Sequence, residues 1–222
     1  MKILVFDTET TGLPEKNATI YNHNQWPYIV QLSYVLYDLS NNTTIVKDHY
    51  IKISNNIEIT PKSYEIHKIT KEMLNTKGIH IKQALTEFNK YLKICDIVVG
   101  HNISFDKRMI FVESFRNKLD QNFTEYIDNK KITKPEYCTM KNTAPFCNLI
   151  RLSSSNKTYI KSPRLTELYQ KLFPENIIPE NLHNSLIDIL ITLRCYIKIL
   201  YNKDVLEINE NIKKYFVDYN CI

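Results

Sequence analysis

The chain has 222 residues, 43% hydrophobic and 24% charged, with a net charge of +5, ordinary values for a globular protein of one domain or two small ones. No apolar run is long enough to cross a membrane, and the apolar start of MKILVFDTET is too short for a secretory leader. Three glycines (Gly12, Gly78 and Gly100) exclude the glycine-rich dinucleotide and phosphate loops, and five cysteines without a C-x-x-C pair exclude the familiar zinc spacings and favour free thiols in a reducing, intracellular compartment.

Residues 2–6 form a continuous apolar run and predict a central strand buried on both faces. Residues 29–38 and 43–53 predict two further strands, joined by a hairpin at Asn41-Asn42, so the first three strands form an antiparallel meander. Short helices are expected between Ser63 and Met73. Residues 81–94 form a stronger helix, with Ile81, Leu85, Phe88 and Leu92 on one face. A short buried strand at 97–99 ends at Gly100, and a helix covers 104–119. Residues 120–135 and 153–163 read as polar loops, with a fifth strand at 136–140 between them. Helices follow at 165–173, at 182–201 (the longest) and at 204–219. The order predicts an α/β fold, one mixed β-sheet flanked by α-helices. The expected organisation is a domain at 1–202 with a C-terminal helical extension, 203–222, packed on it.

The charge is uneven. Between Arg116 and Arg164 there are ten basic residues and four acids, so the rest of the chain is nearly neutral. A basic surface suits a polyanion such as nucleic acid, although lysines on a solvated loop produce the same pattern.

Ionised carboxylates in apolar surroundings cost several kcal/mol unless they are paired or metal-bound. Asp7 ends the first strand, and Glu9 shares its face through the two-residue period of a strand. Asp106 lies in the first turn of the helix after the buried strand. Asp188 interrupts Leu186-Ile187-Asp188-Ile189-Leu190-Ile191, on a small polar stripe with Asn184, Ser185, Thr192 and Cys195. Each acid has a structural alternative: a loop cap for Asp7 and Glu9, a helix N-terminus for Asp106, a lysine partner for Asp188. Taken together they repel one another unless cations neutralise them. Oxygen ligands without a Cys or His cluster suit Mg²⁺ or Mn²⁺.

Three segments, in order, resemble the DEDDh branch of the DnaQ-like 3′→5′ exonucleases. They are Asp7-Thr8-Glu9-Thr10-Thr11-Gly12-Leu13, Gly100-His101-Asn102-Ile103-Ser104-Phe105-Asp106, and His183-Asn184-Ser185-Leu186-Ile187-Asp188, with Ser185 where the family carries Ala. Ile66-His67-Lys68-Ile69-Thr70 is similar to a further family segment, with Lys68 in place of Gly. The similarity runs from about residue 2 to residue 195.

The resemblance implies an RNase H-like fold and a phosphodiesterase using two Mg²⁺ or Mn²⁺ ions held by Asp7, Glu9, Asp106 and Asp188. It makes His183, five residues before Asp188, the general base. It implies that the Thr10-Thr11-Gly12-Leu13 turn receives the 3′ end, with Leu13 against the terminal base, and that Thr8, His101 and Asn102 belong to the same substrate-binding set. His101 and Asn102 support the site, and Phe105 reads as core. The implied partner is nucleic acid, as single strands or frayed 3′ ends and DNA before RNA. RNA trimming and an inactive nucleic-acid-binding module stay open as alternatives. Homodimerisation and association with a polymerase or another replication or repair protein are open as well, and no membrane contact is expected.

Overall fold

The computed structural model describes residues 1–179 and 183–219, apart from the side chain of Ile127. In chain order it contains β1 (Lys2–Thr10), a short 3₁₀ turn (His23–Gln25), β2 (Ile29–Asp38), β3 (Thr43–Tyr50), α1 (Pro61–His67), α2 (Lys71–Lys77), α3 (Ile81–Ile94), β4 (Ile97–Gly100) and α4 (Ile103–Arg116). There follow β5 (Thr124–Ile127), β6 (Lys130–Thr133), β7 (Glu136–Cys138), α5 (Thr139–Asn142), α6 (Ala144–Cys147), β8 (Leu149–Leu152), β9 (Thr158–Lys161), α7 (Leu165–Leu172), α8 (Ser185–Tyr201), α9 (Val205–Ile208) and α10 (Glu210–Asp218).

Five strands build one mixed sheet in the order β3-β2-β1-β4-β7. The expected meander is present: β1 and β3 both run antiparallel to β2, while β4 and β7 extend the sheet in parallel. The continuous apolar run at 2–6 therefore lies in the middle of the sheet, covered on both faces.

Side chains alternate across a strand, and β1 uses that alternation to feed two cores. Ile3 and Val5 point into a core built with α7, α8, α9 and α10, whereas Leu4 and Phe6 point into one built with α3 and α4. In the second core Phe6, Phe88 and Tyr34 meet edge to face at centroid separations of 5.3 Å. Helix α8 is apolar nearly all round because it packs on the sheet and on α7 and α9.

The C-terminal helices bury Val205, Leu206, Ile212 and Phe216 in the α8 core. The expected single helix over 204–219 is two, α9 and α10. Asn209 divides them: its side chain accepts from the Ile212 N–H and donates to Asn42 O and Thr44 Oγ1. Arg194, buried in α8, forks onto Asp204 with Nη2 at 2.6 Å, which ties this extension to the helix before it.

Both segments read as polar loops carry strand pairs. Residues 120–135 contain the β5–β6 hairpin, and β9 lies within 153–163, paired with β8. These ribbons stand largely outside the core, so their sequences lack the burial-driven alternation that marks a strand. The strand expected at 136–140 stops at Cys138. The expected start of the longest helix at Leu182, the end of the extension at 220–222, and Cys221 lie outside the described residues. The four described cysteines are free and buried, and no helix among the described residues is long and apolar enough to cross a membrane.

Candidate active site

The alternation of β1 continues past its apolar half. Asp7 and Glu9 follow Ile3 and Val5 onto the α8 side, and Thr8 follows Leu4 and Phe6 onto the α4 side. Helix α8 starts at Ser185, so Asp188 stands in its first turn and reaches the odd-numbered face. One carboxylate oxygen each from Asp7, Glu9 and Asp188 lie within 4.8 Å of one another. Asp106, in the first turn of α4 and only 3% exposed, arrives from the other face. The Thr8 N–H and hydroxyl both donate to its Oδ1, at 3.1 and 2.8 Å. Four acids separated by up to 181 positions thus gather at one end of β1 from both faces of the sheet.

Burial is the largest influence on all four, and it disfavours their charged forms. Asp7 is pushed well above the usual carboxylate range, first by burial and then by the charges of Asp106, Asp188 and Glu9. Burial, then Asp188 and Asp106, raises Glu9 to about 9. Asp106 rises to about 7 although the Thr8 hydrogen bonds pull it back. Asp188 rises to about 7 against the His183 N–H, which donates to its Oδ1 at 3.4 Å. Raised together in this way, the acids favour protons or a compensating cation over bare negative charge. Their donors are all carboxylate oxygens, the set that hard divalent cations prefer.

A second polar group holds the start of α8. Gln31 lies across from Glu9 on β2 and Ser33 across from Asp7, and both are fully buried. Gln31 Nε2 donates to Asp48 Oδ1 and Asn184 Oδ1, Ser33 Oγ donates to Asp48, and Ser33 Oγ meets Ser185 Oγ at 2.5 Å. This network locks α8 to the sheet beside the acids. Further down the polar stripe, Thr192 and Cys195 are buried in the α8 core and do not reach the site.

Beside Glu9 opens a groove of about 450 Å³, lined by Thr10, Gly12, Leu13, Ile66, His67 and Phe105 among others. Its wall is a pinned turn. Thr10 Oγ1 donates to Gly12 O, Thr11 Oγ1 accepts from Tyr28 N–H, and Thr11 O accepts from Thr60 N–H. A Cβ at Gly12 would stand 3.2 Å from Thr60 Cγ2, so the turn and α1 approach as closely as glycine permits. Leu13 is 75% exposed, an apolar side chain offered to the groove. Phe105, expected as core, is half-buried and lines this groove while also packing against the α3–α4 core.

His67 is a groove residue absent from the expected site set, although the Ile66–Thr70 segment pointed to it. Its Nε2–H donates to Thr10 O and its Nδ1 accepts from Ile69 N–H, a neutral tautomer that burial favours by lowering its pKa. Lys68 follows with a left-handed backbone (φ 57°), the conformation glycine would adopt without strain.

His101 donates from Nε2 to Pro163 O and meets Thr139 Oγ1 through Nδ1, and burial drops its pKa to about 4. It is a neutral brace. Asn102, left-handed at φ 69° and exposed, makes the sharp entry into α4 without capping it through its side chain. His183 is exposed and likewise left-handed, at φ 76°.

The basic segment is less available than its composition suggests. Arg116 pairs with Glu113 and closes the 23–27 loop by donating to His23 O, Trp26 O and Pro27 O. Lys134 caps carbonyls of Lys93 and Cys95, and Lys161 pairs with Glu167. A cavity of about 870 Å³ surrounds the Glu113–Arg116 pair at the far end of α4, away from the acids. Its size does not make it the reactive centre, because the perturbed acids converge elsewhere.

Residues 4–196 match the exonuclease family. The chain belongs to that family. Together with the relatives described next, this match supports a DnaQ-like exonuclease of the RNase H-like superfamily. A DNA polymerase III subunit epsilon of Buchnera aphidicola subsp. Schizaphis graminum is 25% identical over 217 residues, 96% of this chain and 80% of that one. Among solved structures, E. coli exonuclease I in complex with a dT13 oligonucleotide shares the fold with a TM-score of 0.63 and 16% identity over 89% of this chain. A zinc-bound E. coli exonuclease I–ssDNA complex does so with a TM-score of 0.65 and 15% identity over 93%. The exonuclease-family chain described here spans about two fifths of those two proteins, 41% and 42% of their lengths.

Proposed function

We propose that the chain is a metal-dependent exonuclease that removes nucleotides from the 3′ end of a nucleic-acid strand, DNA before RNA, releasing nucleoside 5′-monophosphates. The observation that carries this reading is the gathering of Asp7, Glu9 and Asp188 oxygens within 4.8 Å beside a groove ended by Leu13. The names of the relatives, a DNA polymerase subunit and a nuclease bound to oligothymidylate, favour DNA as the substrate.

Asp7, Glu9, Asp106 and Asp188 fit two Mg²⁺ or Mn²⁺ ions, which when bound supply an activated water and charge stabilisation for the leaving 3′-oxygen. The protein's own part is positioning and proton handling. Leu13 packs against the terminal base, an apolar contact blind to sequence, and the Thr10–Gly12 turn brings backbone groups against the terminal sugar. His183 would take the proton of the attacking water. The water oxygen bonds to the terminal phosphorus, the P–O3′ bond breaks, and the shortened strand leaves with its 3′-hydroxyl reprotonated. A histidine side chain is the usual carrier for such a proton exchange near neutral pH. Its backbone N–H on Asp188 ties its position to the acids. Association with a polymerase belongs to the same proposal, since the epsilon relative is by name a polymerase subunit.

A single-stranded substrate labelled at either end, as DNA and as RNA, tests the reading. Mononucleotides released stepwise from the 3′ end, faster from DNA, are the expected products. Internal cuts, release from the 5′ end, or no hydrolysis with either Mg²⁺ or Mn²⁺ would overturn it.

A further inference from the structure

We infer that the β8–β9 hairpin is an arm that grips the substrate strand on the 5′ side of the nucleotide being removed; this rests on the exonuclease reading above. Residues directly opposite each other in a two-stranded ribbon share a face. Ile150↔Ile160 and Leu152↔Thr158 lie on one face, and Arg151↔Tyr159 on the other. Ile150, Leu152 and Ile160 are 63%, 67% and 49% exposed, and Tyr159 is 51% exposed. A two-stranded ribbon is marginal without a hydrophobic face to bury, so apolar and aromatic groups left on both faces mark a surface for a partner.

Charge selects the partner. Residues 137–166 contain Lys141, Arg151, Lys157, Lys161 and Arg164 and no acid. Arg151 and Lys157 form no ion pair among the described residues, whereas Lys161 is already paired with Glu167. A guanidinium directly across from an exposed phenol ring presents a phosphate contact and a base-stacking plane together. That is the pairing by which single strands are held without reading their sequence.

Position selects the strand being cut. β4 runs parallel to β1, with Val5 across from Val99, and ends at Gly100, so His101 begins the loop at the same end of the sheet as Asp7. His101 Nε2–H donates to Pro163 O, just after β9, so the arm leaves the body of the protein beside the acids. Four residues per strand give it a reach of about 13 Å.

The test compares the wild-type chain with Arg151→Ala/Tyr159→Ala in Mg²⁺. The substrates are an oligothymidylate of about twenty nucleotides and the p-nitrophenyl ester of thymidine 5′-monophosphate, which is too short to reach the hairpin. The ratio of kcat/KM on the oligonucleotide to kcat/KM on the ester should fall about tenfold or more, mainly through the oligonucleotide KM. The salt dependence of that KM should flatten by the equivalent of about one phosphate contact. Arg151→Gln, a single exposed substitution, reports the charge part alone should the double variant fold poorly. A ratio within twofold of wild type for both variants overturns the arm and leaves the exonuclease reading standing. A wild-type chain that cleaves neither substrate overturns both.

Discussion

Replacing Asp188 by asparagine separates the two consequences of placing that acid in the cluster. The amide keeps an oxygen to accept the His183 N–H but carries no charge. Raising a carboxyl from 3.8 to about 7 corresponds to about 4 kcal/mol against the ionised folded state. Solvent screening in the open groove brings this to about 1–2 kcal/mol. The folded-state pKa lies above the unfolded one, so folding loses stability as pH rises from about 4 to about 7 and the loss is constant above that. In EDTA at pH 8 the variant should therefore melt about 2–8 °C higher than wild type, and the gain should shrink at pH 5. Hydrolysis should be abolished in the same variant. Differential scanning fluorimetry across pH 5–8, with a nuclease assay in Mg²⁺, measures both. A variant that melts lower than wild type at pH 8, or one that keeps more than about a tenth of the rate, would refute the reasoning.

His183→Ala should lower kcat by roughly 10²–10⁴-fold with little change in melting temperature, because the ring is exposed; an unchanged kcat would remove His183 from the proton-transfer role. Thr8→Val removes the hydroxyl that donates to Asp106 Oδ1 and leaves the backbone N–H in place. It should cost about 1 kcal/mol and weaken activation by Mg²⁺, read as a higher half-saturating concentration; an unmoved Mg²⁺ dependence would count against Thr8 as the holder of Asp106. Lys68→Gly relieves a left-handed backbone at an exposed position and should stabilise the fold by up to about 1 kcal/mol, after the entropy of the added glycine is offset. A lower melting temperature would show that the lysine side chain contributes more than its backbone costs.

Much of the fold was legible because burial writes itself into sequence. The run at 2–6 is apolar on both faces because β1 is the middle strand, and Asp7, Glu9 and Asp188 stood out as charges continuing buried elements. The β5–β6 and β8–β9 hairpins were missed because neither contributes a face to the core, which leaves no period to read. The Gln31–Ser33–Asn184–Ser185 network joins residues 152 to 154 positions apart, so no local window contains it. Its traces were the two polar residues interrupting the apolar strand 29–38 and the Asn184-Ser185 end of the polar stripe on α8. Phe105 was read as core from its helix, but its half-buried ring serves two surfaces at once, and periodicity reports only one.

The central claim is that this acidic cluster is built for divalent cations, and Mn²⁺ titration by calorimetry at pH 6.5 in two buffers of different ionisation enthalpy tests it most directly. Raised carboxyl pKa values mean that protons must leave as the metal enters. Saturable binding with net proton release, lost in Asp7→Asn, is the predicted result. Absence of binding at millimolar Mn²⁺, or equal binding by Asp7→Asn, would contradict the account.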